Sequence, residues 1–337
     1  MTKHVLHLAL SALLVALSVP AAAQQPQKIP RIGYIAARGD DREQTLLPVF
    51  LHGLRELGYT EGKNIVIELR QAAPGQHARL RELAAELVRL KVDVIVVSTS
   101  SEGHLVAKEV ITTVPFVFIA SPDPVRLGLV ESLARPGGNA TGLSDFHGPL
   151  GAKRLELLKE VVPAAARIAF LWRSGSASAP LQLQDLQAAA PGLGVTLLAF
   201  AVAGPDDFDR VFTAMGQERV EALVVHPSAT GRRVFEFAVQ RRLPAIYTLG
   251  QWVEEGGLMS YGAHFPDMWR RAATYVDKIL HGTKPADLPV EQPMKFELVI
   301  NVHTAQQMGL TIPPSVLYQA DKVIKERRHN NFPIYIH

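Results

Sequence analysis

Cysteine is absent from the 337 residues. That excludes a disulfide framework, a thiolate metal site, racemase chemistry through paired thiols and a cysteine-borne lipid anchor. Also missing are the phosphate loop G-x-x-x-x-G-K-[ST], the dinucleotide G-x-G-x-x-G, the nucleophile elbow G-x-S-x-G and the zinc pattern H-E-x-x-H. The 12 histidines are scattered singly. Among them only His226, at an expected strand end, poses a choice between a hydrogen-bonded loop residue and a ligand or base. A strong excess of one charge is lacking too. The net charge is +3, but Lys3 at one end and Lys325, Arg327 and Arg328 against Glu326 at the other account for it. The body between carries as many acids as bases, so a nucleic-acid partner has no electrostatic footprint.

What is present begins with an export signal. Lys3 and His4 precede an apolar run over 5–19, then Pro20 and Ala21-Ala22-Ala23-Gln24. A basic start, a short apolar region and an A-x-A end predict a secretory signal over 1–23, cleaved after Ala23. The run falls short of the roughly 20 apolar residues that span a bilayer. No later run is longer. With 47% hydrophobic and 20% charged residues the remainder is ordinary globular chain, and its length predicts two domains.

After a linker at 24–30, buried-strand patterns at 31–36, 63–69, 92–97, 115–120 and 140–144 alternate with helical ones at 43–57, 76–90 and 102–110. A further helix is expected after 124, with Val125, Leu129, Val130 and Leu133 on one face. The alternation restarts with helix 150–161, strand 167–172, helix 181–190, strand 195–199 and a helix to 217 capped by Asp206-Asp207. Strand 222–225, helix 232–241, strands 245–247 and 257–261, helix 268–280 and a closing segment at 296–310 follow. Such alternation in two blocks predicts an α/β fold of two doubly wound parallel-sheet lobes joined by a hinge. Asn139-Ala140-Thr141 fits a glycosylation sequon, but reads first as a turn before a strand.

In open α/β sheets, ligands bind at the carboxyl ends of strands. The residues at those ends are the candidate site: Ala37 and Arg38, Thr99, Ser100 and Ser101, Ser121, Asp123 and Pro124, Asp145 and Phe146, Trp172 and Arg173, Ser228, Tyr247 and Tyr261. The ring of loops offers hydroxyls, carboxylates, guanidinium groups and aromatic rings, but no nucleophile–base pair. It suits recognition better than catalysis. No catalytic residue, metal ligand or cofactor is expected.

The segments FLHGLRELGYTEGKNIVIE (50–68), LAAELVRLKVDVIVVSTS (83–100), DPVRLGLVESLARPGGNATGLS (123–144), KRLELLKEVVP (153–163), RRLPAIYTLGQWVEEGGLMSYG (241–262) and the run 270–324 carry a family likeness. The chain resembles the solute-binding proteins of ABC importers with the type I periplasmic binding fold, in the tryptophan/tyrosine-type branch. The resemblance implies a periplasmic, non-enzymatic monomer that captures a small solute between two lobes by hinge closure and presents it to an ABC permease. The lobes are expected at 31–143 plus 262–283 and at 144–261 plus 284–312, with a C-terminal helix at 313–324 and a disordered tail at 325–337. The solute is expected to be an amino acid or related zwitterion. Its carboxylate would lie at the helix start 99–101, where free N–H groups and the helix dipole favour an anion. Its ammonium would pair with Asp123 and Asp145, and its side chain would lie between rings of Phe146, Trp172, Tyr247 and Tyr261. Three alternatives stand beside this. Asp123 would satisfy its own turn backbone, the rings would pack the hinge, or Arg38 and Arg173 would clamp an acidic solute. A soluble protein presenting its solute to a membrane receptor, or a cleft enzyme on the same fold, are the competing functions.

Overall fold

The computed structural model describes residues 28–37, 41–73 and 75–325. The expected signal at 1–23, most of the linker, Arg38 and nearly all of the tail lie outside the described residues. Two sheets carry the fold. The first has the strands β1 (Arg31–Ala37), β2 (Val66–Ala72), β3 (Val94–Ser98), β4 (Phe116–Ser121) and β5 (Ala140–Ser144), in the order β2-β1-β3-β4-β5 and all parallel. Helices α1 (Asp41–Glu56), α2 (His77–Arg89) and α3 (Ser101–Val110) connect them. The period-two alternation of side chains sorts each strand between two cores. Ile32, Tyr34, Val94 and Val96 face one, Ile35, Ile95 and Val97 the other, all fully buried. Each such side chain stabilises the fold by about 1.5–3 kcal/mol.

The second sheet contains β6 (Arg167–Arg173), β7 (Thr196–Val202), β8 (Ala222–Val225), β9 (Ala245–Tyr247), β10 (Met259–Ala263), β11 (Phe296–Asn301) and β12 (Lys322–Ile324). Its order is β12-β11-β10-β9-β8-β6-β7, parallel except where β11 runs against β10. Helices α4 (His147–Val161), α5 (Ala179–Ala189), α6 (Phe208–Gln217), α7 (Arg232–Gln240) and α8 (Gly250–Glu254) belong to it. The long α9 (Phe265–Leu280) follows β10 in sequence but packs against α1 of the first sheet. Its buried stripe of Met268, Trp269, Ala272, Ala273 and Val276 is set there by Gly53, where a Cβ would stand 2.9 Å from the Arg270 carbonyl. The Trp269 indole N–H donates to the Tyr34 hydroxyl at 3.0 Å.

The chain therefore passes between sheets after β5, after β10, and again between α9 and β11. The three passages are stitched together. Ser144 N–H donates to the Glu291 carbonyl at 2.8 Å, and His264 N–H to that of Lys295 at 3.0 Å. The Thr141 hydroxyl donates to the Leu288 carbonyl at 2.6 Å. Residues 284–292, expected with the second lobe, accordingly run along the first sheet's edge beside β5.

Three further expectations need correction. The helix after 124 is a run of turns: Leu127 N–H reaches the Asp123 carbonyl at 3.0 Å, then Gly128, at φ 73°, ends the turn after one cycle. Asp207 does not cap α6; its carboxylate accepts from the Ala203 N–H at 3.0 Å and from Arg210. The segment 313–324 is the short α11 (Pro314–Gln319) followed by β12, after α10 (Val302–Met308). The sequon's Asn139 amide donates to the carbonyls of Ile111 and Val114 at 2.8 and 2.7 Å, a strut for the turn. Among the described residues no helix is long and apolar enough to cross a membrane.

Candidate functional site

The loops after β3 and β4 meet those after β6. Ala177 N–H donates to the Glu102 carboxylate in the first turn of α3. Arg126 grips both oxygens of Asp185 on α5 through one nitrogen, at 2.9 and 3.0 Å, and the Gln184 side-chain oxygen through the other, at 2.8 Å. Beside the Arg126–Asp185 tie lies a cavity of about 410 Å³, whose lining includes Asp123, Pro124, Phe146 and Asp185. That is within the range of small-molecule sites.

The candidate residues divide into three groups. At the α3 start the hydroxyls are committed locally. Ser100 caps the helix, its oxygen accepting from Gly103 N–H at 3.3 Å, and Thr99 donates to the Ser100 carbonyl at 3.4 Å. Ser101 is buried. Asp123 accepts from Arg126 N–H at 2.9 Å, the local turn bond, and lies 3.8 Å from the Arg126 guanidinium. Ala37 is half-buried at the end of β1.

A second group sits deeper. Ser121, fully buried at the end of β4, accepts through its carbonyl from Asp145 N–H at 3.1 Å. Its hydroxyl has no hydrogen-bond partner among the described residues. Asp145 is 4% exposed. Ala120 and Phe146, beside these two residues, both hold left-handed backbone, at φ 59° and 58°. Such strain in non-glycine residues costs about 1–3 kcal/mol and clusters at functional sites.

The third group is aromatic and less unified. Trp172 stacks on Phe170 with ring centres 5.3 Å apart, and half-buried Tyr261 stacks on Phe296 at 6.2 Å. Tyr247 points into the core, its ring against Phe235 at 5.2 Å and beside Gly257; burial pushes its phenol well up. Arg173 is exposed, and its N–H donates to the Ser228 hydroxyl at 3.0 Å. The Ser228 oxygen lies 2.8 Å from His226 Nδ1, and His226 Nε2 lies 3.2 Å from the Ser178 hydroxyl. Burial, with help from the nearby Arg154 charge, pushes His226 down to about 3.

Sequence reasoning missed Arg154, Ser178 and Gln182. Arg154 is fully buried on α4, with its Nε–H donating to the Tyr261 carbonyl at 2.6 Å. Burial lowers its pKa to about 10, although Asp145 and Tyr261 act to raise it. Gln182 on α5 is 2% exposed, and neither end of its amide has a partner among the described residues. The missed signal was positional. Arg154 occupies the same helical stripe as Leu150, Leu158 and Val161, and Gln182 that of Ala179 and Leu186; a cation and an amide stand where apolar residues belong.

Two α/β lobes joined by crossing segments, with polar strand ends gathered where they meet, define a type I periplasmic binding fold. The family model for ABC transporter substrate binding proteins matches residues 41–324, and the chain belongs to that family. It is similar to the tyrosine-binding protein of Clostridioides difficile (strain R20291), 25% identical over 265 residues, or 77% of this chain and 75% of the relative. Among solved structures, a conserved domain protein from Vibrio cholerae is 28% identical with a TM-score of 0.81, covering 88% of this chain and 100% of that one. A Streptococcus pneumoniae ABC domain in complex with L-Trp is 27% identical with a TM-score of 0.80, covering 88% and 99%.

Proposed function

We propose that this chain is the periplasmic solute-capturing component of an ABC importer, a monomer that closes on an aromatic amino acid and presents it to a membrane permease. The observation that carries the reading is the buried polar rim of Ser121 and Asp145 at the strand ends where the chain leaves the first sheet. Support comes also from the relatives, one named for tyrosine and one holding L-Trp. The lobes are assigned to 31–143 plus 262–283 and to 144–261 plus 284–312, the latter less the 284–292 strip beside β5.

Asp145, buried at the end of β5, takes the solute's ammonium. Phe146, Trp172 and Tyr261 border the space for its ring. Ser121 adds a hydroxyl at the first lobe's rim. His226 with its two serines has the outline of a nucleophile–base pair. A base whose conjugate acid ionises near 3 takes a serine proton poorly at neutral pH. That favours binding over acyl transfer.

The test is a thermal melt of the protein against L-tryptophan, L-tyrosine, L-leucine, purines and dicarboxylic acids. Ligand at about 100 times its Kd adds about 2.7 kcal/mol, a visible shift. A shift with the aromatic amino acids is the expected result. A shift with dicarboxylic acids alone would overturn the assignment and move attention to Arg38 and Arg173.

A further inference from the structure

We propose that Arg154, fully buried on α4 and held against Tyr261 on β10, binds the carboxylate of the solute. The inference rests on the amino-acid reading and names the group that recognises the acid end.

The guanidinium has five N–H donors in a fixed fork. One is used, by Nε on the Tyr261 carbonyl at 2.6 Å. Nη1 and Nη2 have no hydrogen-bond partner among the described residues. A buried cation left in that state costs several kcal/mol unless an anion meets it. Position agrees. Arg154 is held beside Tyr261 on β10, close enough to Asp145 and His226 for their charges to act on one another. Asp145 and His226 follow the carboxyl ends of β5 and β8. Gln182 supplies a second uncommitted polar group on the facing helix. It packs beside Gly151, one turn before Arg154.

The competing place for a carboxylate is the start of α3, and two observations weaken it. The Ser100 hydroxyl already caps that helix, and Glu102 puts a carboxylate into its first turn. A second anion there would meet repulsion. Arg154 offers instead a planar, bidentate partner in a site shielded from water. Asp145 beside it gives the pair of opposite charges that a zwitterion requires.

The discriminating experiment compares each acid with its own carboxyl-blocked form. Wild-type protein, Arg154→Met and Arg154→Lys are titrated calorimetrically with L-tryptophan and L-tryptophanamide, with circular dichroism melts to report folding. Wild type should prefer the acid by roughly 100-fold or more, and Arg154→Met should lose that preference while holding the amide as before. Arg154→Lys should keep part of it, because charge remains and the fork is lost. Where Arg154→Met does not fold, the Lys variant carries the comparison through the same ratio. Equal losses for acid and amide would mean that Arg154 only braces Tyr261, and an unchanged preference would also overturn the proposal. Failure of the aromatic reading looks different. Wild type would then select some other carboxylate over its amide, and the variants would be judged with that pair. A wild type that binds only uncharged solutes overturns the role of Arg154 itself.

Discussion

Two buried histidines make this protein sensitive to acid at the level of single residues. His104 lies fully inside α3, its Nε2 3.2 Å from the Val97 carbonyl, and burial lowers it to about 4 against the weaker pull of that bond and of Glu102. His226 is lowered further, to about 3. In the unfolded chain both would titrate near 6.5. Between those values the unfolded state binds protons that the folded state refuses, so stability is whole above about pH 6.5 and is lost as pH falls. Each histidine costs at most about 1.4 kcal/mol per pH unit in that window. The urea midpoint should drop steadily from pH 6.5 to 4.5, and less steeply in His104→Gln; a flat midpoint would contradict the burial argument. Asp145 gives a second test at this scale. Asp145→Asn should weaken L-tryptophan by about 30-fold or more, since truncating a buried charge partner costs about 2–5 kcal/mol. Binding of indole-3-propionate, which has no ammonium, should change little.

The elements show where sequence was readable and where it was not. Helix α2 and strand β3 were legible because their apolar periods, at Leu80, Leu83, Ala84 and Leu87 and at 92–97, report burial directly. The 124–134 stretch has an equally good helical period, and Leu129 and Val130 are indeed buried. Gly128 and the Asp123 turn bond nonetheless overrule it, because period records which side chains are buried and not the backbone that buries them. Arg154 was hidden for the opposite reason. Its burial depends on Tyr261, more than a hundred residues away, and although it shares a stripe with Leu158 and Val161, KRLELLKEVVP read alone gives no partner for a charge there. Strands β5 and β10, which lead into two of the passages, share one device that a sequence shows only as a glycine. A Cβ on Gly142 would stand 2.0 Å from the Phe118 carbonyl oxygen, and one on Gly262 2.1 Å from that of Thr248. Neighbouring backbone cannot yield as a side chain end would. Gly262→Ala should therefore cost about 1–3 kcal/mol in chemical denaturation, as overpacking does. The exposed Gly192→Ala, with nothing within 4 Å of its added Cβ, is the matched control.

At the scale of the whole molecule, Arg126 joins the two lobes outside the buried rim. Its guanidinium holds Asp185 and Gln184 across the boundary while Asp123 steadies it from its own side. Side-chain exposures of 35% for Arg126 and 28% for Asp185 place the pair partly in water, so its strength belongs with surface ion pairs, at about 0.2–1 kcal/mol and somewhat more for this shared geometry. A contact of that size cannot hold the lobes shut against solvent, but it adds to whatever the solute supplies. In the proposed closure the apparent Kd rises as the competent fraction falls. Arg126→Ala should weaken the solute about two- to tenfold through faster release, with the thermal midpoint of the free protein nearly unchanged. Raising salt should weaken wild type in the same direction, because the pair is screened, and should have less effect on the variant. Small-angle scattering separates this from a direct role in the site. If Arg126 is a latch, the free variant should be more expanded than free wild type, and saturating L-tryptophan should bring both to the same radius of gyration. Equal radii without solute, together with weakened binding, would place Arg126 in contact with the solute instead.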